Sequence, residues 1–457
     1  MKWYKENWLM FNSIGFITIT FIISFFYADI WHNEVFKKLF LRIGLGLCVA
    51  STLVWAFLNY RKYKIPTDKE LWLRILIVVM CCCCVFLFTY KLSKAYKTTI
   101  ILLFLCGLYA IWKRQFIKPT LPMILFGIFA LFKIGGVFWN THTPISFIAF
   151  NDGEILFLLG VVVLSLFFRM EKSETMEFIT ICFKGFLSLL TLNMAIYVLY
   201  TSSIDLPILS FLTFNKSYME YISILEWTYF PHPSYVSWVI LLIGGLGFFV
   251  WKEQKKTIIT TYELIWYAIL LFCFVFMMQA RISIIGYFLT ICLLSWLYLT
   301  KKWTMKVKTT VVSILVILLI TGIGVLVTQT KFFSDPARVS FFNATKEFKM
   351  PSLFFGAGTS AQRGVAETLD FIHLHNDLLC IFIDLGIIGL LLLLIWIIAT
   401  FYQSIIYRNS YILYTMLLAL MFMNTDTFLY MGAYMSVWFI SIIFAFPEKK
   451  QIQQIKI

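Results

Sequence analysis

Apolar residues fall in runs of about twenty, separated by short polar clusters, which is the length a helix needs to cross a bilayer core. Fourteen segments fit that ruler, near 11–28, 39–58, 72–90, 98–112, 122–139, 154–169, 178–200, 235–251, 262–280, 282–300, 309–329, 378–401, 411–424 and 427–446. Only Asn424, Thr425 and Asp426 separate the last two, which also suits a polar interruption in one long or re-entrant segment. The pattern therefore predicts an all-α, polytopic transmembrane bundle of twelve to fourteen helices. The first run, Phe11 to Ala28, follows Lys2 and Lys5 as in a signal peptide. It lacks a small-residue cleavage site and is long enough to span, so it reads as a retained first helix. No internal repeat, coiled coil or soluble domain interrupts the series, and residues 1–457 read as one membrane domain.

The longest non-apolar stretch, 330–377, breaks the rhythm, and loops of that length in compact proteins usually carry function. Its aromatic residues, among them Phe341, Phe342, Phe348, Phe354 and Phe355, suit amphipathic short helices lying on the membrane face as a lid. Asp335 with Pro336 makes an N-cap and first-turn pair for a helix through Lys349, and Gly356 and Gly358 then end it.

Composition agrees: 61% hydrophobic and 13% charged residues are more apolar surface than one soluble core can hide. A net charge of +15 on its own suggests nucleic acid, but Lys and Arg cluster between apolar runs instead of lining one face. The surplus is better read as positive-inside topology, with membrane lipids and no nucleic acid as partners. A cytoplasmic N-terminus puts Arg61, Lys62, Lys64 and Lys69 inside, then Lys113, Arg114 and Lys118, then Lys252, Lys255 and Lys256, then Lys301, Lys302, Lys306 and Lys308, and finally Lys449 and Lys450. Both termini are then cytoplasmic. Lys37, Lys38, Lys91, Lys94 and Lys97 break the rule. All five histidines, His32, His142, His232, His373 and His375, fall outside, which places any chemistry away from ATP. The ten cysteines lie in or beside apolar segments without ligand spacing, so neither a disulfide framework nor a zinc site is expected.

The polar residues worth weighing share that outer face. His375, Asn376 and Asp377 precede the apolar helix that starts near Leu378, and Asn376 or Asp377 is its N-cap. An imidazole held there is a competent general base for a hydroxyl at neutral pH. His373 substitutes for it if the approach is extended, because residues two apart then point the same way. Arg281 opens a helix and either snorkels to headgroups or faces inward to hold an anion. Arg338 sits on the lid helix, where a solvated charge is the plain alternative. Two guanidiniums suit a pyrophosphate. Asp384 is costly at its depth unless paired or wet; Gly386 and Gly389 suit close helix packing. His232, in the turn Phe230-Pro231-His232-Pro233, fits a helix start.

These residues resemble the O-antigen ligase and O-antigen polymerase superfamily of bacterial envelope enzymes. The resemblance rests on His375, Asn376, Leu379 and Asp384 to Gly386 with Gly389, on the glycine turn Phe355-Gly356-Ala357-Gly358, on Arg338 upstream of it, and on Arg281 with Ser283; the stretch from His232 to Tyr235 also looks like members of the superfamily. It implies a glycosyltransferase of the bacterial cytoplasmic membrane, acting on the extracytoplasmic face. Its donor is an undecaprenyl-pyrophosphate-linked glycan and its acceptor another glycan or a lipid. Arg281 and Arg338 would bind pyrophosphate, and His375 would be the base. Asn376, Asp377, His373 and His232 join the substrate-binding candidates. No metal and no cofactor is implied, since two fixed cations can stabilise the leaving group. A chain-length regulator and a flippase are possible partners. Polymerisation of surface-polysaccharide repeat units is the leading expectation; ligase transfer to lipid A core or protein is the alternative, and a polysaccharide flippase a further one. Ala280, where a serine often precedes the arginine, and the extra apparent helices depart from a typical ligase.

Overall fold

A computed structural model describes residues 2–59, 69–90, 92–113, 119–140, 170, 172–213, 233–254, 258–278, 280–299, 336–371, 374–407 and 409–424, with a few single positions besides. Every regular element among the described residues is helical. In chain order these are α1 (Lys2–Phe26), α2 (Glu34–Asn59), α3 (Lys69–Tyr90), α4 (Leu92–Lys113), α5 (Leu121–Gly135), α6 (Lys172–Ser203) and α7 (Pro233–Glu253). They continue as α8 (Thr261–Met278), α9 (Arg281–Leu299), α10 (Pro336–Glu347), α11 (Gln362–Glu367), α12 (Asp377–Ile406) and α13 (Ser410–Met423). The predicted segments 154–169, 309–329 and 427–446 lie outside the described residues; each of the others is a helix. Seven described helices are long and apolar enough to cross a membrane, with three shorter apolar ones beside them. The chain is an all-α, polytopic membrane protein.

Burial sorts centre from periphery. In α6 and α7, 83% of the most apolar window is buried, against 28% in α1 and α2. Helix α6 packs against α1, α2, α3, α7 and α8, so it is the pillar around which the bundle is built. Phe25, Phe57, Phe104 and Ile398 point outward and are largely exposed, a surface that only lipid tails can cover without cost.

Side-chain bonds at the helix ends show which termini share a level. At one end Arg74 grips Glu174 through both carboxylate oxygens, Lys172 meets Glu253 at 2.8 Å, and Thr260 bonds Asn7. At the other end His32 Nε2 lies 3.0 Å from the Ser203 carbonyl, and Asn376 Nδ2 donates to the Asn424 carbonyl at 3.2 Å. Helices α1, α3, α6 and α8 thus start at the end of the bundle where α7 finishes.

Lys184, in the middle of an apolar run, has a structural answer. Its ammonium touches both oxygens of Glu263 and lies 5.0 Å over the Trp55 ring, with both ionic side chains sealed from solvent. Glu263 also accepts from the Thr260 amide at 3.1 Å. The pair ties α6 to α8. Removing one partner of such a pair strands the other charge, which costs about 3–5 kcal/mol, whereas removing both is far milder. Lys184→Met alone should therefore lower thermal stability in detergent strongly, and Lys184→Met with Glu263→Leu should recover most of the loss. Equal loss in the single and double variants would contradict the pairing.

Candidate functional site

The site begins at the start of α12. Asn376 has extended backbone, with φ −157° and ψ 111°, and its side-chain oxygen accepts the Leu379 amide at 3.0 Å. Of the two cap candidates the helix therefore uses Asn376, while the amide group of the same side chain reaches the C-cap of α13 at Asn424. Asp377 is wholly buried, and both its oxygens accept the Leu429 amide at 3.0 Å.

His375, one residue before the cap, adopts φ +48°, in the left-handed region that a residue with a Cβ occupies at a cost. Its surroundings hold it there. The half-buried imidazole stacks on Phe341 of α10 with ring centres 5.9 Å apart and meets the edge of Phe371 at 6.1 Å. Phe341 is 2% exposed and itself packs edge-on to Phe371 at 4.8 Å. The lid helix expected from Pro336 onward thus lies directly on the imidazole. Arg338 falls in α10 three residues before Phe341, and its side chain lies outside the described residues, as do His373 and His232. Helix α7 does begin at Pro233, as the helix-start reading of that turn requires.

Arg281 is exposed at the first position of α9, whose turn closes on the Ala280 carbonyl through the Ser283 and Ile284 amides at 2.8 and 3.2 Å. Its level relative to His375 follows from packing. Gly286 leaves space for Met421 and Phe422 of α13, and α13 ends at Asn424, whose carbonyl Asn376 holds. The start of α9, the end of α13 and the start of α12 therefore occupy the same end of the bundle. Arg281 and His375 share a face.

Below His375 the long helix is broken. Gly386 has φ +63° and ψ −160°, a conformation open essentially to glycine alone, so α12 is two helical segments, one on each side of it. Such a break orphans backbone groups, and in an apolar setting each must find a partner. The glycine turn supplies them. Ala357 and Gly358 amides donate to the Ile383 and Asp384 carbonyls at 2.8 Å each, while Ile387 and Ile388 amides donate to the Leu353 and Phe354 carbonyls at 3.0 and 3.2 Å. The fit is backbone on backbone: a Cβ on Gly356, itself at φ +71°, would meet the Asp384 carbonyl, and one on Gly386 would meet the Phe354 carbonyl. Gly386 is thus a helix break, where close helix packing was expected; the atoms nearest a Cβ on Gly389 belong to Leu385 of its own helix.

The Asp384 carboxylate completes the joint. It is fully buried and accepts the Ser360 amide at 2.7 Å and the Gln362 amide at 2.8 Å. Thr359 extends the joint to α5, with its amide on the Gly136 carbonyl and its hydroxyl on the Lys133 carbonyl, and Asn140 donates to the Thr359 carbonyl. Lys133 is sealed from solvent, and Cys380 Sγ donates to Gln362 Oε1 at 3.5 Å. Arg363 is buried in the same region. The segment from Ile387 to Ile406 rises about 30 Å, enough by itself to cross the hydrocarbon core.

The matched region takes in part of this site, without α5 or α13. Residues 266–394 match the model of a family described as O-antigen ligase. The match is to a domain that covers less than a third of the chain. That domain begins within α8 and ends in α12 beyond Gly386, taking in Arg281, the lid helix, the glycine turn and His375. It supports the O-antigen ligase and polymerase superfamily, and with it a membrane enzyme of that type. No curated protein matches the chain.

Sequence reasoning ranked Asp384 by its cost and did not foresee its bonds. The available signal was a carboxylate two residues before a glycine inside an otherwise unbroken apolar run. Within the ligase-family domain, Gly386→Ala should destabilise the protein by at least the ~1–2 kcal/mol that left-handed backbone costs a residue with a Cβ. Gly364→Ala, where a Cβ meets nothing within 4 Å, should be neutral or slightly stabilising. Thermal melting in detergent checks both; equal melting temperatures for the two variants would contradict the break.

Proposed function

We propose that this protein transfers glycan from a polyprenyl-pyrophosphate donor to a sugar hydroxyl on the extracytoplasmic face of the cytoplasmic membrane, polymerising repeat units of a surface polysaccharide. The observation that carries the reading is the shared face of Arg281 and His375, with α10 lying on the imidazole. His375 removes the proton of the acceptor hydroxyl, and that oxygen attacks the anomeric carbon of the donor. The bond to the pyrophosphate breaks, and the polyprenyl pyrophosphate leaves with its electron pair. Arg281 and Arg338 hold the diphosphate and offset the charge that develops on it. Asn376 and Asp377 keep the start of α12 in place beneath His375. His373 and His232 remain candidates for contacts with the glycan.

Ligase-type transfer to a lipid or protein acceptor is the second reading, favoured by the description of the matched family. Both readings share donor, base and face. They part at the acceptor, so gel analysis of surface glycan in a deletion strain separates them: single repeat units on the acceptor support the polymerase, and long polymer still on its carrier supports the ligase. The flippase reading loses one support, since Lys184 in the bundle centre is bound to Glu263.

His375→Ala, inserted and expressed normally, should abolish transfer while lipid-linked donor accumulates. Unchanged polymer length and yield would remove His375 from the mechanism. Arg281→Lys should cut transfer at least ~10-fold, because a point charge cannot replace a bidentate fork; full activity would mean that Arg281 only snorkels to headgroups.

A further inference from the structure

Two features of the site have no part in the chemistry above: the glycine turn set into the break of α12, and the buried carboxylate of Asp384. We infer that Asp384 is a positioning residue, which locks the lid-bearing segment 352–362 into the broken helix and so fixes the lid over His375. The inference rests on the reading of His375 as the base.

The lid helix α10 ends at Glu347, and the chain enters the break within a few residues, at Leu353. It leaves the joint through α11 and returns to Phe371 and His375. Lid and imidazole are therefore the two arms of one loop whose middle is pinned to α12. Four backbone bonds pin it around Gly386, through Leu353, Phe354, Ala357 and Gly358. These align the chain with the helix, and the bonds of Thr359 to Gly136 and Lys133 tie the start of the following bend to α5. The Asp384 carboxylate controls that bend. It accepts the amides on either side of Ala361, from Ser360 at 2.7 Å and Gln362 at 2.8 Å, and Ser360 stands at φ +70°.

Two properties suit a carboxylate here. An ionised carboxylate is an acceptor only, so both oxygens can receive an N–H; an amide of the same shape offers one acceptor and turns a donor against the second amide. Charged acceptors also make the stronger bonds. A carboxylate with no exposure in an apolar bundle is costly. Lys133, whose carbonyl takes the Thr359 hydroxyl, and Arg363, next to Gln362, are also buried.

The consequence for catalysis is geometric. A small misplacement of a catalytic group can cost about 10²-fold in rate without any change in the group itself. Opening the bend tilts α10 and lets Phe341 leave the His375 ring, which no longer has a support for its left-handed backbone.

Hydrogen exchange read by mass spectrometry, on the full chain in detergent, tests this together with transfer kinetics. In the unaltered protein, the amides of 352–362 should exchange as slowly as those of α12, although the segment is no part of a long helix. Asp384→Asn should speed exchange there and around Phe341 and Phe371, leave α6 and α7 protected, and lower kcat about 10²-fold, with a smaller change in the donor KM. His375→Ala should abolish transfer with no change in exchange. Rapid exchange of 352–362 in the unaltered protein overturns the inference, as does an Asp384→Asn variant with a loosened segment and normal transfer. Exchange that spreads through α6 and α7 makes Asp384 a residue of global stability only, and overturns it too. Full activity of His375→Ala would instead sink the base reading, and the exchange pattern of Asp384→Asn would still report on the joint.

Discussion

A helix broken inside an apolar bundle must have its freed amides and carbonyls bonded, and that requirement organises the end of this protein that bears His375. Without partners, the groups around Gly386 would each cost several kcal/mol where water is scarce. The glycine turn bonds them in both directions, from Ala357 and Gly358 to the upper segment of α12 and from the lower segment to Leu353 and Phe354. Once the turn is fixed, its neighbours are fixed as well. Thr359 and Asn140 join it to α5, Asp384 sets the bend into α11, and the loop closes over Phe371 and His375. The lower segment of α12 continues downward against α5, where Trp396 meets Phe126 at 5.0 Å. Those two residues lie as far below Gly386 and Gly136 as each other, so the antiparallel pair is in register with the joint.

This arrangement gathers polar side chains at one end. The central helices α6 and α7 are closed around apolar side chains, and the buried charge among them is neutralised in place by Lys184 and Glu263. At the end bearing His375, by contrast, three helix termini meet, from α9, α12 and α13, and a polar side chain stands at each: Arg281, Asn376 and Asn424. Helix starts bring unpaired amides and positive dipole ends, which suit anionic ligands. Two of the three termini are starts.

Much of the bundle was legible in the sequence because a span is a one-dimensional signal: an apolar run of the right length needs no knowledge of its neighbours. The same holds for the cap at Asn376 and for a lid helix beginning at Pro336, which depend on local chemistry. A shared face for Arg281 and His375 was expected from counting spans, and the packing of Gly286 against α13 puts the two residues at one end of the bundle. The break at Gly386 was not legible, since its conformation is stable only with a second segment, thirty residues earlier, bonded to it. Asp384 was hidden for the same reason. A buried carboxylate can be recognised as costly from sequence, but the amides of Ser360 and Gln362 that satisfy it are reached only through the fold.

The central claim is that a diphosphate headgroup is held at this end, between α9 and the lid, within reach of His375. A single-particle structure of the full chain in nanodiscs with a polyprenyl-pyrophosphate donor tests it most directly. Density for the diphosphate against Arg281 and Arg338, with the first sugar beside the imidazole, is the expected result. Donor density at the opposite end of the bundle, or separated from His375 by the closed joint, would contradict it.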